Sequence, residues 1–82
     1  MELHIISPTK TDTLLIEWLE VETSHGGSFI IQKGHAPLLL ILAHNKLITF
    51  MNTDGKKESI PVGHGILESD RTRITIIMRD MR

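Results

Sequence analysis

The sequence predicts an all-β fold, a sandwich or barrel of short strands, and three observations carry that prediction. Ile and Thr are abundant and Ala is scarce, a balance that suits strands because branched side chains fit a pleated, half-buried surface. Turn-forming residues recur at short intervals, at Ser7-Pro8, Ser24-His25-Gly26-Gly27, Lys33-Gly34, His44-Asn45, Asp54-Gly55, Gly63-His64-Gly65 and Ser69-Asp70. The stretches between these turns have the length of strands rather than helices.

Taken in order, Leu3–Ile6 reads as the first strand. Leu19–Thr23 reads as the next, because Leu19 and Val21 alternate with Trp18, Glu20 and Glu22. Phe29–Gln32 and Leu38–Ala43 are short, continuous apolar runs. Lys46–Asn52 and Lys57–Val62 form a hairpin about Thr53-Asp54-Gly55-Lys56, where Asp-Gly suits the positive φ angles of a tight primed turn. Pro61 removes a backbone donor and so marks that arm as an edge strand, or as the end of one. Thr72–Arg79 closes the chain, with Arg73, Thr75 and Arg79 toward water and Ile74, Ile76 and Met78 inward. A helix over Ala36–Leu47 is the rival reading. Gly34 and Pro37 at its start and Asn45 near its end leave room for only a short one.

Eighty-two residues, 40% apolar and 23% charged with a formal net charge of −1, make a single small domain over residues 1–82. No apolar run approaches the roughly 20 residues of a membrane-spanning helix, and Met1-Glu2-Leu3-His4 lacks the profile of a signal peptide. No membrane insertion is expected, and the expected location is cytoplasmic. The absence of cysteine excludes disulfides, thiolate zinc sites and cysteine nucleophiles. Dispersed Lys and Arg, with Trp18, Phe29 and Phe50 as the aromatics, argue against nucleic acid.

The search for chemistry returns no catalytic, cofactor or metal site. His4, His25, His35, His44 and His64 are widely and irregularly spaced, without the His-Glu-x-x-His or close pairing that a metal set shows. Ser7, Ser24, Ser28, Ser59 and Ser69 form no Gly-x-Ser-x-Gly elbow. Glu20 and Glu22 share a strand face with Trp18, which reads as a solvated face. The loops at Gly26-Gly27 and Gly63-His64-Gly65 lack the Gly-Lys-Ser/Thr ending of a phosphate loop and lead into strands. A binding or structural role therefore leads.

One pattern bears on that role. A strand with one wet face alternates apolar and polar residues, but Leu38-Leu39-Leu40-Ile41-Leu42 does not, and neither do Phe29-Ile30-Ile31 or Ile76-Ile77-Met78. Either the outer residues meet another protein, or curvature or a neighbouring loop buries both faces. Leu38, Leu40 and Leu42 lie on one face and Leu39 and Ile41 on the other, with the inward set unassigned.

Gly34-His35-Ala36-Pro37-Leu38-Leu39, followed by an Asp-Gly hairpin and by Gly63-His64-Gly65-Ile66-Leu67-Glu68, closely resembles the epsilon subunit of F-type ATP synthases. Leu3-His4-Ile5-Ile6-Ser7-Pro8 is similar to that family's first strand, and Thr72-Arg73-Ile74-Thr75-Ile76-Ile77 to its last sandwich strand. The resemblance implies a flattened β-sandwich of about ten short strands. It also implies a non-catalytic rotor subunit at the foot of the central stalk, a peripheral part of a membrane complex, which helps couple proton or sodium flow to ATP synthesis. The implied partners are the gamma subunit, against His35, Ala36, Pro37, Leu38, Leu39, Leu40, Ile41 and Leu42, and the c ring, against the loop Gly26, Gly27, Ser28.

There are departures. The acidic residue usual after the loop glycine is absent at Gly27 and Ser28, Lys33 stands where proline is common, and His64 replaces one of two adjacent glycines. The chain ends at Arg82 without the C-terminal helical hairpin of typical members, so inhibition and ATP sensing are not expected. The alternative is a stand-alone β-sandwich binding module with a different partner.

Overall fold

The computed structural model describes residues 1–80. They form eight strands and, among the described residues, no helix: β1 (Glu2–Ile6), β2 (Thr11–Glu22), β3 (Ser28–Gln32), β4 (Leu38–Ile41), β5 (Lys46–Asn52), β6 (Lys57–Val62), β7 (His64–Ser69) and β8 (Arg73–Asp80). Hydrogen bonding links them in the order β4-β7-β8-β1-β2-β5-β6, with β3 paired to β2. Among the described residues the β1–β8 pair is parallel and the other strand pairs are antiparallel.

The sheet folds into two layers because β2 belongs to both. Thr11–Leu15 pair with β1, whereas Trp18–Glu22 pair with β3 and Ile16–Glu20 with β5. At the crossover the register with β5 slips between Ile16 and Trp18, leaving Glu17 as an extra residue. Such a bulge bends a strand and reverses the face on which its apolar residues lie. Leu14 and Ile16 point inward before it; Leu19, Val21 and Thr23 point inward after it. The inner faces meet in one core, to which β1, β7 and β8 contribute Leu3, Ile5, Leu67, Ile74, Ile76 and Met78. The opposing strands contribute Ile31, Ile48, Phe50 and Val62.

The β-sandwich class expected from the sequence is the one found, with eight strands in place of about ten. Part of the difference is that β2 runs through both layers unbroken, starting well before Leu19. β7 is a strand where the sequence predicts a loop: Gly63-His64-Gly65 has turn composition, yet His64 and Gly65 already pair with β8. β4 and the start of β5 occupy the segment of the rival helix. Pro61 lies on the edge strand β6. The β5–β6 turn is not primed: Gly55 has φ +90° and Asp54 does not share its sign. Gly55 N–H donates to Asn52 O at 3.0 Å, and Asn52 N–H to Lys56 O at 2.8 Å, the pattern of a turn followed by a glycine bulge.

Candidate functional site

β4 owes its place to β7, with which it pairs from Leu38↔Ser69 to Ile41↔Ile66. Its other edge is met at one end by β2, where Ser24 N–H donates to Ile41 O at 2.9 Å and Ala43 N–H to Glu22 O at 2.9 Å. This assigns the alternation. Leu42 is buried, and Leu38 and Leu40 pack half-buried against the core. Leu39 and Ile41 are 71% and 57% exposed.

Ile41 does not stand alone. It is opposite Ile66 on β7, Ile66 is opposite Ile77 on β8, and Ile77 is opposite Ile6 on β1. All four are exposed, at 57%, 47%, 50% and 37%. Directly opposed residues on neighbouring strands have Cβ atoms about 5 Å apart, so the four isoleucines form a continuous apolar stripe across the outer face. Scattered surface isoleucines are ordinary; a row in register over four strands is a candidate contact surface.

The next row on this face is Leu39, Glu68, Thr75 and His4, polar except at β4. His4 Nε2 lies 2.8 Å from Glu2 Oε1, its Nδ1 lies 3.3 Å from Thr13 Oγ1, and Arg73 Nε is 3.6 Å from the same Glu2 oxygen. The His4 hydrogen bond, helped by the charges of His4 and Arg73, holds the Glu2 carboxyl below the ordinary carboxylate range. The stripe thus has a polar border. Its β4–β7–β8 end opens on a shallow depression shared by His44, His64 and Arg79.

Gly26, Gly27 and Ser28 are exposed, the two glycines in the loop between β2 and β3 and Ser28 as the first residue of β3. Thr23 N–H donates to Gly27 O at 2.8 Å and Gly26 N–H to Thr23 O at 3.0 Å, a tight reversal with Gly26 at φ +89°. Gly27 shares a groove with Phe29, Leu39, Leu40 and Ile41. The two segments singled out from sequence are therefore neighbours. His35 is half-buried and tied into the fold, with Nδ1 2.6 Å from Gln32 O and Nε2 3.0 Å from Ser69 Oγ; Ala36 and Pro37 beside it are exposed.

Of the residues expected at a gamma-facing surface, Ala36, Pro37, Leu39 and Ile41 are thus accessible, while Leu38, Leu40 and Leu42 serve the core. Ile6, Ile66 and Ile77 were not among them. Ile77 carried a signal, in the unbroken run Ile76-Ile77-Met78, but Ile6 and Ile66 are single apolar residues whose meaning depends on register. Among the described residues no three histidines or carboxylates converge as a metal set, and no helix is long and apolar enough to cross a membrane.

Over residues 1–82 the sequence matches the family described as ATP synthase, Delta/Epsilon chain, beta-sandwich domain. No curated protein matches it in sequence. Among solved structures, a chain in the cryo-EM structure of the central stalk/c-ring of the Tetrahymena thermophila mitochondrial ATP synthase superposes with a TM-score of 0.81. The two are 17% identical, and the likeness covers 100% of this chain and 65% of the other. At that identity the likeness is one of fold.

Proposed function

The chain belongs to the beta-sandwich domain family of the ATP synthase delta/epsilon chain, and from that premise we propose that it acts as a non-catalytic subunit of the central stalk. In this reading the stripe Ile41–Ile66–Ile77–Ile6, with Leu39, Ala36 and Pro37 beside it, seats the chain on the gamma subunit. The loop Gly26, Gly27, Ser28 faces the c ring. The work is mechanical: a sandwich packed through one core turns with the rotor and helps couple ion flow to ATP synthesis, as a peripheral part of the membrane complex on its cytoplasmic side.

The observation that carries the reading is the stripe, four exposed isoleucines in register. Leaving such a surface in water costs about 25 cal/mol for each Å² that a partner would cover, and its polar border resembles the rim of a protein interface. Co-expression with the gamma subunit of the same organism tests the proposal, with stoichiometric co-purification expected. A chain that purifies free of gamma, yet is folded, would instead be a stand-alone binding module.

A further inference from the structure

We propose that His44, His64 and Arg79 form an acceptor site for a carboxylate at one end of the isoleucine stripe, engaged by an acidic residue of gamma that is flanked by apolar side chains, with a proton taken up on binding. This rests on the gamma reading above and specifies the chemistry of the partner surface.

Three features build the site. His64 Nδ1 lies 3.1 Å from His44 Nε2, with ring centroids 4.0 Å apart. Arg79 lines the same depression as these rings and as Ile41, Ile66 and Ile77. A bulge sets the arrangement: His64 is opposite Asp80 and Gly65 opposite Met78, so Arg79 is the extra residue of β8, and bulges re-aim side chains. Gly65 permits the close approach, since a Cβ there would lie 3.0 Å from Val62 Cγ1 and 3.4 Å from the Ile77 carbonyl oxygen. His44 is presented by a turn in which Asn45 has φ +58° and its N–H donates to Gly63 O at 3.1 Å.

The ligand class follows from charge and hydrophobicity together. Among the described residues Arg79 is in no ion pair, and a guanidinium lining one depression with two imidazoles offers a donor set for a planar anion. The adjoining isoleucines require that the anion arrive on an apolar carrier. A cation is a poor fit, because the facing nitrogens are already in contact and the depression they line is shared with the cationic Arg79. The charged groups nearest the cluster in sequence on the surrounding elements are Lys46 at the start of β5 and Glu22 at the end of β2, whose backbone carbonyl accepts from Ala43 N–H, while Glu68 on β7, Arg73 on β8 and Asp12, Glu17 and Glu20 on β2 stand farther along their strands. Asp80 is opposite His64 in register.

The proton follows from the contact. With both rings neutral, one proton between the facing nitrogens makes a hydrogen bond, and one further proton turns a single ring into an imidazolium that still donates across the 3.1 Å contact. A carboxylate lying against the pair favours that further proton, so binding and protonation are linked.

The test is the affinity of the purified chain for its gamma subunit at pH 8 and pH 6, with Arg79→Gln and the double variant His44→Gln/His64→Gln, each checked for a wild-type circular dichroism spectrum. Wild type should bind at least about threefold more tightly at pH 6. The double variant should lose that gain, and Arg79→Gln should bind about tenfold more weakly at both values. Gamma binding that is indifferent to pH, or a pH effect retained in the double variant, overturns this inference and leaves the gamma reading intact. No gamma binding at either pH overturns both. Binding to phosphatidylglycerol vesicles that requires these three residues, with gamma binding unaltered in the variants, would assign the cluster to a lipid surface and also overturns the inference.

Discussion

His35 and Ser69, 34 residues apart in sequence, meet side chain to side chain, with Nε2 3.0 Å from Oγ. The other ring nitrogen is 2.6 Å from the Gln32 carbonyl oxygen, which can only accept, so Nδ1 carries the proton and Nε2 accepts from the Ser69 hydroxyl. Among the described residues Ser69 and Thr23 are the buried polar ones. The bond pins the connection between β3 and β4 to the end of β7 and holds β4 in register.

Ser69→Ala should therefore cost about 1 kcal/mol, a fall in Tm of roughly 4–8 °C for a domain of this size. His35→Leu should cost a similar amount. The double variant should be less destabilised than the sum, since both changes break one bond. Urea unfolding of the four proteins checks this, and strict additivity would show that the side chains do not interact. Zinc bound stoichiometrically by wild type and lost in His35→Leu would also contradict the structural role.

The two faces of β4 should respond oppositely to charge. Leu40→Asp places a carboxylate against the core and should cost about 3 kcal/mol or more, a large part of the stability of a small domain. Ile41→Asp points into solvent and should stay within about 0.5 kcal/mol of wild type, while gamma affinity falls at least about tenfold. Thermal melts and gamma binding report the two effects separately. Unfolding of both variants would mean that the strand is buried on both sides.

Glu17 matters by its presence more than by its chemistry. Glu17→Ala should be close to neutral, since the side chain is exposed. Deleting Glu17 removes the bulge and turns either Leu14 and Ile16 or Leu19 and Val21 toward water. The deletion should abolish cooperative unfolding, as seen by near-ultraviolet circular dichroism and a thermal melt.

Within the β2–β3 loop, adjacent glycines should behave differently. Gly26, at φ +89°, has open space around a would-be Cβ, so Gly26→Ala is strained by its backbone alone, by about 1 kcal/mol. At Gly27 a Cβ would make ordinary contacts of 3.7 Å with Thr23 Oγ1 and 3.8 Å with Phe29 Cε1, and Gly27→Ala should be near neutral or slightly stabilising. Chemical denaturation of the two variants distinguishes them.

Asp70 gives the fold an acid-sensitive turn. Its Oδ1 accepts from Thr72 N–H and Arg73 N–H, both at 2.9 Å, and from Thr72 Oγ1 at 3.3 Å. The two backbone bonds lead in holding its carboxyl below the ordinary value. A carboxyl with a depressed folded pKa contributes stability above its unfolded value, about 3.9, and that contribution disappears as pH falls through the folded value. Below about pH 4 the Tm of wild type should therefore fall more steeply than that of Asp70→Asn, which has no carboxyl to protonate. Parallel slopes would remove Asp70 from the acid response.

The linear order of residues already determined the class of this fold and most of its strands, because branched residues between turn formers leave the chain few alternatives to a sheet. It also determined that Leu39 and Ile41 share a face opposite Leu40 and Leu42, since alternation is a property of the extended backbone. Motif order along the chain carried the family, through Gly34-His35-Ala36-Pro37-Leu38-Leu39. Tertiary structure decided which face of β4 points inward, because that depends on which side β7 and β8 place the core. It decided the fate of β2, where one extra residue at Glu17 hid two alternations of opposite phase from a reading that assumes a single period. It also decided the candidate contact surface. Ile6, Ile41, Ile66 and Ile77 are unremarked singly and far apart in sequence, and they become one stripe only through the registers of three strand pairs. Likewise His44 and His64, whose spacing argued against cooperation, come within 3.1 Å of each other because a turn and a bulge on different strands converge.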